Sequence, residues 1–155
     1  MLETPLDPIY VADEFSRGFP EPLLNEAESE QSQPPRPRVL VVDDQKLIAD
    51  TITQILEDAG FEAIAAYDGW TALEAAARFT PDYLLTDVLM PRMNGVQLAI
   101  TIRRNYPAVR ILLFSGQAGT SEIMLEGQKQ GFEFELIAKP IHPLKLIEHL
   151  KKDQG

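Results

Sequence analysis

Five residues with chemically useful side chains stand at the ends of apolar segments. Asp43 and Asp44 follow RVLVV, Asp87 follows DYLLT, Ser115 ends VRILLFS, and Lys139 follows FELIA. A carboxylate in such a place can be a metal ligand, a nucleophile or only a helix cap. A hydroxyl and an ammonium group can both donate hydrogen bonds to phosphoryl oxygens. The residues next to Asp87 do not decide between these roles. The strands and helices that position the five side chains have to be considered instead.

The apolar segments alternate with helical patterns along the chain. RVLVV is a continuous apolar run rich in β-branched residues, which is typical of a strand buried on both faces. Strands are predicted at about 38–42, 61–67, 82–86, 109–115 and 134–138. The segments that follow each of them carry apolar residues at helical spacing, and the last is PLKLIEHLKK at 143–152. Five alternating strands and helices predict an α/β fold with a doubly wound, five-stranded parallel sheet and right-handed crossovers.

The carboxyl ends of the strands in such a sheet lie along one edge, where ligands bind. Three carboxylates gathered there repel one another. A bound Mg²⁺ ion, which prefers oxygen ligands, would offset this repulsion with its positive charge. Lys139 and Ser115 could then bind the oxygens of a phosphoryl group, which leaves one carboxylate as the nucleophile. Each residue alone is explained as well by a cap, a turn or a solvated strand end. Their occurrence together favours a phosphoryl-transfer site.

The overall composition excludes several classes of function. The chain has 155 residues, 14 basic against 24 acidic, and a formal net charge of −10, which argues against binding nucleic acid through a basic face. There is no cysteine, so disulfides and thiol catalysis are excluded, and a reducing cytoplasm fits. No apolar run is long enough for a membrane span, and the N-terminus does not resemble a signal peptide.

Residues 1–37 differ from the rest of the chain. They hold seven of the twelve prolines and eight acids against two arginines. This composition predicts an acidic, Pro-rich and largely flexible extension, because it offers little apolar surface to offset ordering entropy. The more apolar segment 9–24 is a candidate docking segment, either on its own domain or on a partner. Residues 38–155 are predicted to form the folded domain.

Four motifs occur in a fixed order within that domain: VLVVDD, LLTDVLMPRMNG, ILLFSG and IAKP. Together they resemble the CheY-like receiver domain of two-component response regulators, over about Arg38 to Lys152. The resemblance implies a flavodoxin-like fold with the family's strand order 2-1-3-4-5. It also implies a cis peptide bond between Lys139 and Pro140.

The resemblance assigns a role to each residue of the site. Asp87 would be the phosphoacceptor, Ser115 the switch hydroxyl and Lys139 the contact to a phosphoryl oxygen. Mg²⁺ would be held by the carboxylates of Asp43, Asp44 and Asp87 and by the backbone carbonyl of Leu89. Such a protein is a phosphoacceptor signalling protein and not an enzyme in the usual sense. The only reactions it would catalyse are its own phosphorylation and its slow autodephosphorylation.

The resemblance also implies the partners. The phosphoryl group would come from a phosphohistidine of a sensor histidine kinase or of a phosphotransfer protein. The signal would pass to a downstream protein through the face formed by the fourth helix, fifth strand and fifth helix, with no direct contact to nucleic acid or membrane. Because the chain stops after the fifth helix, a stand-alone cytoplasmic regulator is expected.

Two residues bear on other possible functions: Leu136 favours one alternative, and Leu89 argues against another. The family usually has Tyr or Phe three residues before the lysine, where this chain has Leu136. A leucine cannot make the family's aromatic rotamer change, so a phosphorylation-independent interaction module is one alternative. The other is a Mg²⁺-dependent phosphatase with an Asp nucleophile, but that class needs an acid two residues after the nucleophile, where this chain has Leu89.

Overall fold

The structure is a computed structural model that describes residues 35–116 and 120–152. Most of the predicted extension 1–37, including the candidate docking segment 9–24, lies outside the described residues. The division of the chain at residues 37 and 38 therefore stays a prediction. Arg36 already contacts the domain, because its guanidinium donates a hydrogen bond to the backbone carbonyl of Glu57 at 3.2 Å.

Strands and helices alternate along the described residues. The strands are β1 Arg38–Val42, β2 Glu62–Ala66, β3 Tyr83–Asp87, β4 Arg110–Ser115 and β5 Glu135–Ala138. The helices are α1 Lys46–Asp58, α2 Gly69–Phe79, α3 Gly95–Asn105, α4 Thr120–Lys129 and α5 Pro143–Lys152. None of these helices has the length and apolar character that crossing a bilayer requires.

All five strands belong to one parallel sheet in the order β2-β1-β3-β4-β5. This confirms the predicted doubly wound α/β fold and the strand order 2-1-3-4-5. The central strands are covered on both faces. Their apolar runs follow from that burial, and every residue of β1 from Val39 to Val42 is 0% exposed.

Helices cover the two faces of the sheet in two groups. On one face, α1 and α5 contribute Leu56 and Leu146 to a core that includes Phe114 of β4. On the other face, α2 and α3 contribute Ala76 and Leu98 to a second core, and α4 is packed there mainly through partly buried side chains. The result is a three-layer α/β/α arrangement with two apolar cores, one on each side of the sheet.

The order of the strands places a crevice between β1 and β3. The chain runs from β1 to β2 on one side, and then returns to form β3 on the other side of β1. The loops after β1 and β3 therefore leave in opposite directions and leave a gap at the carboxyl ends of the two strands, as in other open α/β sheets. Asp43 and Asp87 lie at this gap.

Two helices begin at side-chain caps of residue types that favour this position. The Asp68 carboxylate accepts a hydrogen bond from the backbone N–H of Thr71 at 2.8 Å, at the start of α2. Asn94 and Gln97 form a reciprocal capping box at the start of α3. These caps fix where α2 and α3 begin, and so where the β3–α3 loop can run.

We expect Asp68→Ala to lower the free energy of unfolding by about 1 kcal/mol, because the N–H of Thr71 loses its acceptor. Asp68→Asn keeps an acceptor oxygen and should cost much less. Urea unfolding followed by circular dichroism measures both. Equal losses in the two variants would contradict the capping account, because they would trace the effect to the charge of Asp68.

Candidate functional site

The three strand-end carboxylates come together in the folded chain. Asp43 directly follows β1, Asp87 ends β3, and β1 and β3 are neighbours in the sheet. One carboxylate oxygen from each of Asp43, Asp44 and Asp87 lies within 4.8 Å of the others. The sequence prediction that separate strand ends meet at one edge is therefore confirmed in the positions of these side chains.

Asp43 is the most enclosed of the three acids, with its side chain 0% exposed. One carboxylate oxygen accepts the backbone N–H of Gln45 at 2.9 Å, and the other lies 3.2 Å from the Lys139 ammonium. Asp44 is exposed, and α1 is capped instead by Gln45, which makes no side-chain capping bond. Helix capping, one of the simpler explanations for Asp44, is thus wrong.

Lys139 connects the fifth strand to this cluster. Its Nζ lies 3.2 Å from Asp43 Oδ2 and 3.4 Å from Asp87 Oδ2, and it also stands 5.0 Å from the centre of the Phe114 ring. Its backbone N–H donates to the carbonyl of Ser115 at 3.0 Å, and the bond to Pro140 is cis, as expected. Lys139 is therefore no solvated strand end, because its ammonium is held between two carboxylates.

The charges in the cluster do not balance. One lysine faces three carboxylates, and Asp87 is buried beside them. Burial raises the pKa of Asp87, and the negative charge of Asp43 raises that pKa further, while Lys139 offsets only part of the effect. The excess of negative charge is what a divalent cation would neutralise.

The backbone around Asp87 is packed closely. A Cβ added at Gly95 would stand 2.1 Å from the carbonyl oxygen of Asp87. The N–H of Gly95 donates to the carbonyl of Val88 at 2.8 Å, and the Thr86 hydroxyl donates to the carbonyl of Asp87 at 3.1 Å. Gly95 thus lets α3 begin directly against the end of β3 and fixes the loop that follows the nucleophile candidate Asp87.

Ser115 ends β4 and is buried at the edge of the site. Its hydroxyl is hydrogen-bonded to the hydroxyl of Thr120, the first residue of α4, which is also buried. Sequence reasoning did not include Thr120 among the candidate site residues and missed this contact. A threonine five residues after the strand-end serine is the one signal that could have drawn attention to it.

The two leucines singled out in the sequence take different positions. Leu89 lies in the loop after β3 and is partly buried, and the role of its carbonyl as a metal ligand stays a prediction. Leu136 pairs with Leu113 in the sheet, yet its side chain is 46% exposed. The position where the family usually has an aromatic residue is therefore an apolar patch on the surface of β5.

The donor set at the cluster fits magnesium. Mg²⁺ prefers oxygen ligands, takes one or two carboxylates from the protein, and keeps several waters. Asp43, Asp44 and Asp87 supply carboxylate oxygens close enough to share one ion, and Asp44 is open to solvent. Receiver domains typically bind Mg²⁺ through an acidic pocket of this kind.

Comparison with known proteins establishes the family. Residues 39–151 match the family model of the response regulator receiver domain, so the chain belongs to that family. Its members are signalling proteins of two-component systems. The solved receiver domain (CheY-like) from Methanospirillum hungatei JF-1 is 27% identical and superposes with a TM-score of 0.68, covering 77% of this chain and 94% of that one.

Curated relatives show the receiver domain in two contexts. The chain is 32% identical over 116 residues to the chemotaxis protein CheY of Thermotoga maritima, covering 74% of this chain and 95% of the relative. It is also 32% identical over 116 residues to the DNA-binding response regulator MtrA of Mycolicibacterium paratuberculosis, covering 75% of this chain. The chain spans about half the length of that MtrA protein.

Proposed function

We propose that this receiver domain accepts a phosphoryl group on Asp87 and signals through phosphorylation-dependent contacts with another protein. The observation that carries the proposal is the position of the Asp87 carboxylate, 3.4 Å from Lys139 and clustered with Asp43 and Asp44. A buried carboxylate beside an ammonium group and a cation site has both a nucleophilic oxygen and the positive charge that a phosphoryl group requires.

In the proposed reaction, a carboxylate oxygen of Asp87 attacks the phosphorus of a phosphohistidine on a histidine kinase or phosphotransfer protein. The P–O bond to Asp87 forms as the P–N bond breaks, and the imidazole nitrogen keeps the bonding electron pair. Lys139 donates to an equatorial oxygen, and the Ser115 hydroxyl can donate to another. Asp43, Asp44 and Asp87 would hold Mg²⁺, and the ion would supply positive charge that neutralises the phosphoryl oxygens. Hydrolysis of the acyl phosphate later restores the carboxylate.

An apolar groove beside the site supports docking of a phosphodonor domain. The groove has a volume of about 670 Å³ and runs between α1 and the loop after β5. Its lining includes Lys139 and Pro140 on one side and Ile52 on the other, and Leu47 at its edge is 79% exposed. A helix of a donor protein seated there would bring its histidine to the mouth of the site.

Exposed leucines support an output surface on α4, β5 and α5. Leu125, Leu136 and Leu144 come from these three elements and are 50%, 46% and 66% exposed. Large apolar side chains that remain in water stabilise a complex when a partner covers them. We infer that the downstream partner of the phosphorylated domain is a protein that binds this face.

The test is intact-protein mass spectrometry after incubation with acetyl phosphate. We expect a single phosphoryl adduct with Mg²⁺ and none when EDTA replaces it, because the three carboxylates then repel the incoming phosphate. Peptide mapping should place the adduct on the peptide that contains Asp87. Absence of an adduct in Mg²⁺ would contradict the proposal and favour a phosphorylation-independent interaction module.

A further inference from the structure

The hydrogen bond between Ser115 and Thr120 links the site to α4. Both residues are buried, and they lie on opposite sides of the connection between β4 and α4. The Thr120 hydroxyl thus contacts the hydroxyl that is proposed to bind the phosphoryl group, while its backbone belongs to the first turn of α4. A displacement of the Ser115 hydroxyl would therefore change a hydrogen bond made by the first residue of this helix.

Helix α4 is anchored to the domain at few points. Only Thr120 and Gly127 are buried among its 10 residues, whereas α3 buries six of its 11. At Gly127 the helix lies close to α3, since an added Cβ would stand 2.8 Å from a methyl group of Val96. Helices with so little buried apolar surface have low local stability. The contact at Thr120 is therefore a large share of what fixes the N-terminal end of α4.

Leu136 offers no comparable link between the site and the surface. Its side chain has no hydrogen-bonding group and is 46% exposed on β5. It pairs with Leu113, two residues before Ser115, and Ser115 itself pairs with Ala138. The hydroxyl of Ser115, in contrast, is hydrogen-bonded to the hydroxyl of Thr120, the first residue of α4.

We propose that Thr120 is a positioning residue that transmits the state of the Ser115 hydroxyl to α4. The inference rests on the proposed function, because it requires a phosphoryl group on Asp87. A serine hydroxyl has one proton to donate. Either hydroxyl can be the donor in the bond between Ser115 and Thr120. When Ser115 donates its proton to a phosphoryl oxygen, only Thr120 can donate in that bond, so the Thr120 hydroxyl and the first turn of α4 are held in the arrangement that this direction requires.

The test compares hydrogen exchange in α4 with and without beryllofluoride and Mg²⁺, which together mimic the phosphoryl group. In the wild type we expect the analogue to shift amide exchange in the first turn of α4. In Thr120→Val, which keeps the shape but loses the hydroxyl, we expect the analogue to bind and the shift to be lost. Thr120→Ser should restore the shift. Ser121→Ala, at the exposed neighbouring position, is the matched control and should respond like the wild type.

The outcomes separate this inference from the proposed function. If the wild type takes up neither beryllofluoride nor a phosphoryl group, the proposed function fails. If Thr120→Val binds the analogue and still shows the wild-type shift in α4, the role of Thr120 is overturned and the proposed function stands. If Thr120 only capped α4, Thr120→Val would change amide exchange in α4 by the same amount with and without beryllofluoride. That result would also overturn the inference. Thr120→Ala serves as a second variant without a hydroxyl if Thr120→Val does not fold.

Discussion

Asp87→Asn should form no phosphoryl adduct under conditions in which the wild type becomes fully phosphorylated. The amide has nearly the shape of the carboxylate but lacks a nucleophilic oxygen, so the loss should be complete while the fold is retained. Intact mass after acetyl phosphate and Mg²⁺ measures the result. Glu74→Gln, which removes an exposed carboxylate from α2, is the matched control and should react like the wild type. An adduct of wild-type yield on Asp87→Asn would show that another residue is the acceptor.

The same variant should be more stable than the wild type at neutral pH without Mg²⁺. Because burial and the charge of Asp43 raise the pKa of Asp87, the folded protein binds this proton more tightly than the unfolded chain. The stability of the wild type therefore falls as the pH rises from the ordinary pKa of Asp through the raised value, and is constant above it. Asp87→Asn lacks this loss, so we expect its free energy of unfolding at pH 7 to be higher than that of the wild type.

Urea unfolding at several pH values in EDTA, with and without added Mg²⁺, checks this sign. The difference between Asp87→Asn and wild type should grow with pH across the stated window. Added Mg²⁺ should then favour the wild type, by about 2.7 kcal/mol for a full site at one hundred times its dissociation constant. Parallel stability curves for the two proteins would contradict the account of repulsion between Asp43 and Asp87.

Among the glycines of residues 35–116 and 120–152, Gly95 is the one where we expect substitution by alanine to cost the most stability. The new Cβ would stand 2.1 Å from the carbonyl oxygen of Asp87, and this obstacle is backbone in the middle of the protein. A shift of α3 away from the end of β3 would strain the hydrogen bond from the Gly95 N–H to the Val88 carbonyl, which is 2.8 Å long. We expect a loss of about 3 kcal/mol or more in the free energy of unfolding.

The matched control for Gly95→Ala is Gly127→Ala in α4. There the added Cβ meets a side-chain methyl group of Val96 at 2.8 Å rather than backbone, and alanine favours the helix by up to about 1 kcal/mol. Thermal unfolding by circular dichroism should show a much smaller change for Gly127→Ala. A loss in Gly95→Ala as small as that in Gly127→Ala would mean that the contact at Gly95 is relieved by local movement.

The sequence predicted the fold well because its signals are local and consistent. The apolar run RVLVV indicates that β1 is buried on both faces. Asp68 and Asn94 mark the N-terminal starts of α2 and α3. Parallel topology then requires Asp43 and Asp87 to meet, since their strands end at the same edge. The acidic cluster could therefore be predicted from the order of elements alone.

The contacts that position the site could not be predicted in this way. The close approach of Gly95 to Asp87 depends on how α3 sits against β3, and a glycine after asparagine indicates only a turn or a helix start. The burial of Thr120 depends on the packing of α4 against the sheet. Both are tertiary distances between backbones, and no periodic pattern of residue types records them.

Lys139 links two parts of the sheet that differ in how deeply they are buried. Asp43 and Asp87 extend from β1 and β3, which are enclosed on both faces and form the stiff middle of the sheet. Lys139 extends from β5, a four-residue edge strand in which no residue is buried. The ion pairs of Lys139 with Asp43 and Asp87 therefore connect the poorly buried edge strand β5 to the well-buried central strands. A change in the charge of Asp87 would alter the strength of its ion pair with Lys139. The position of β5 would then respond to chemistry at the centre of the sheet.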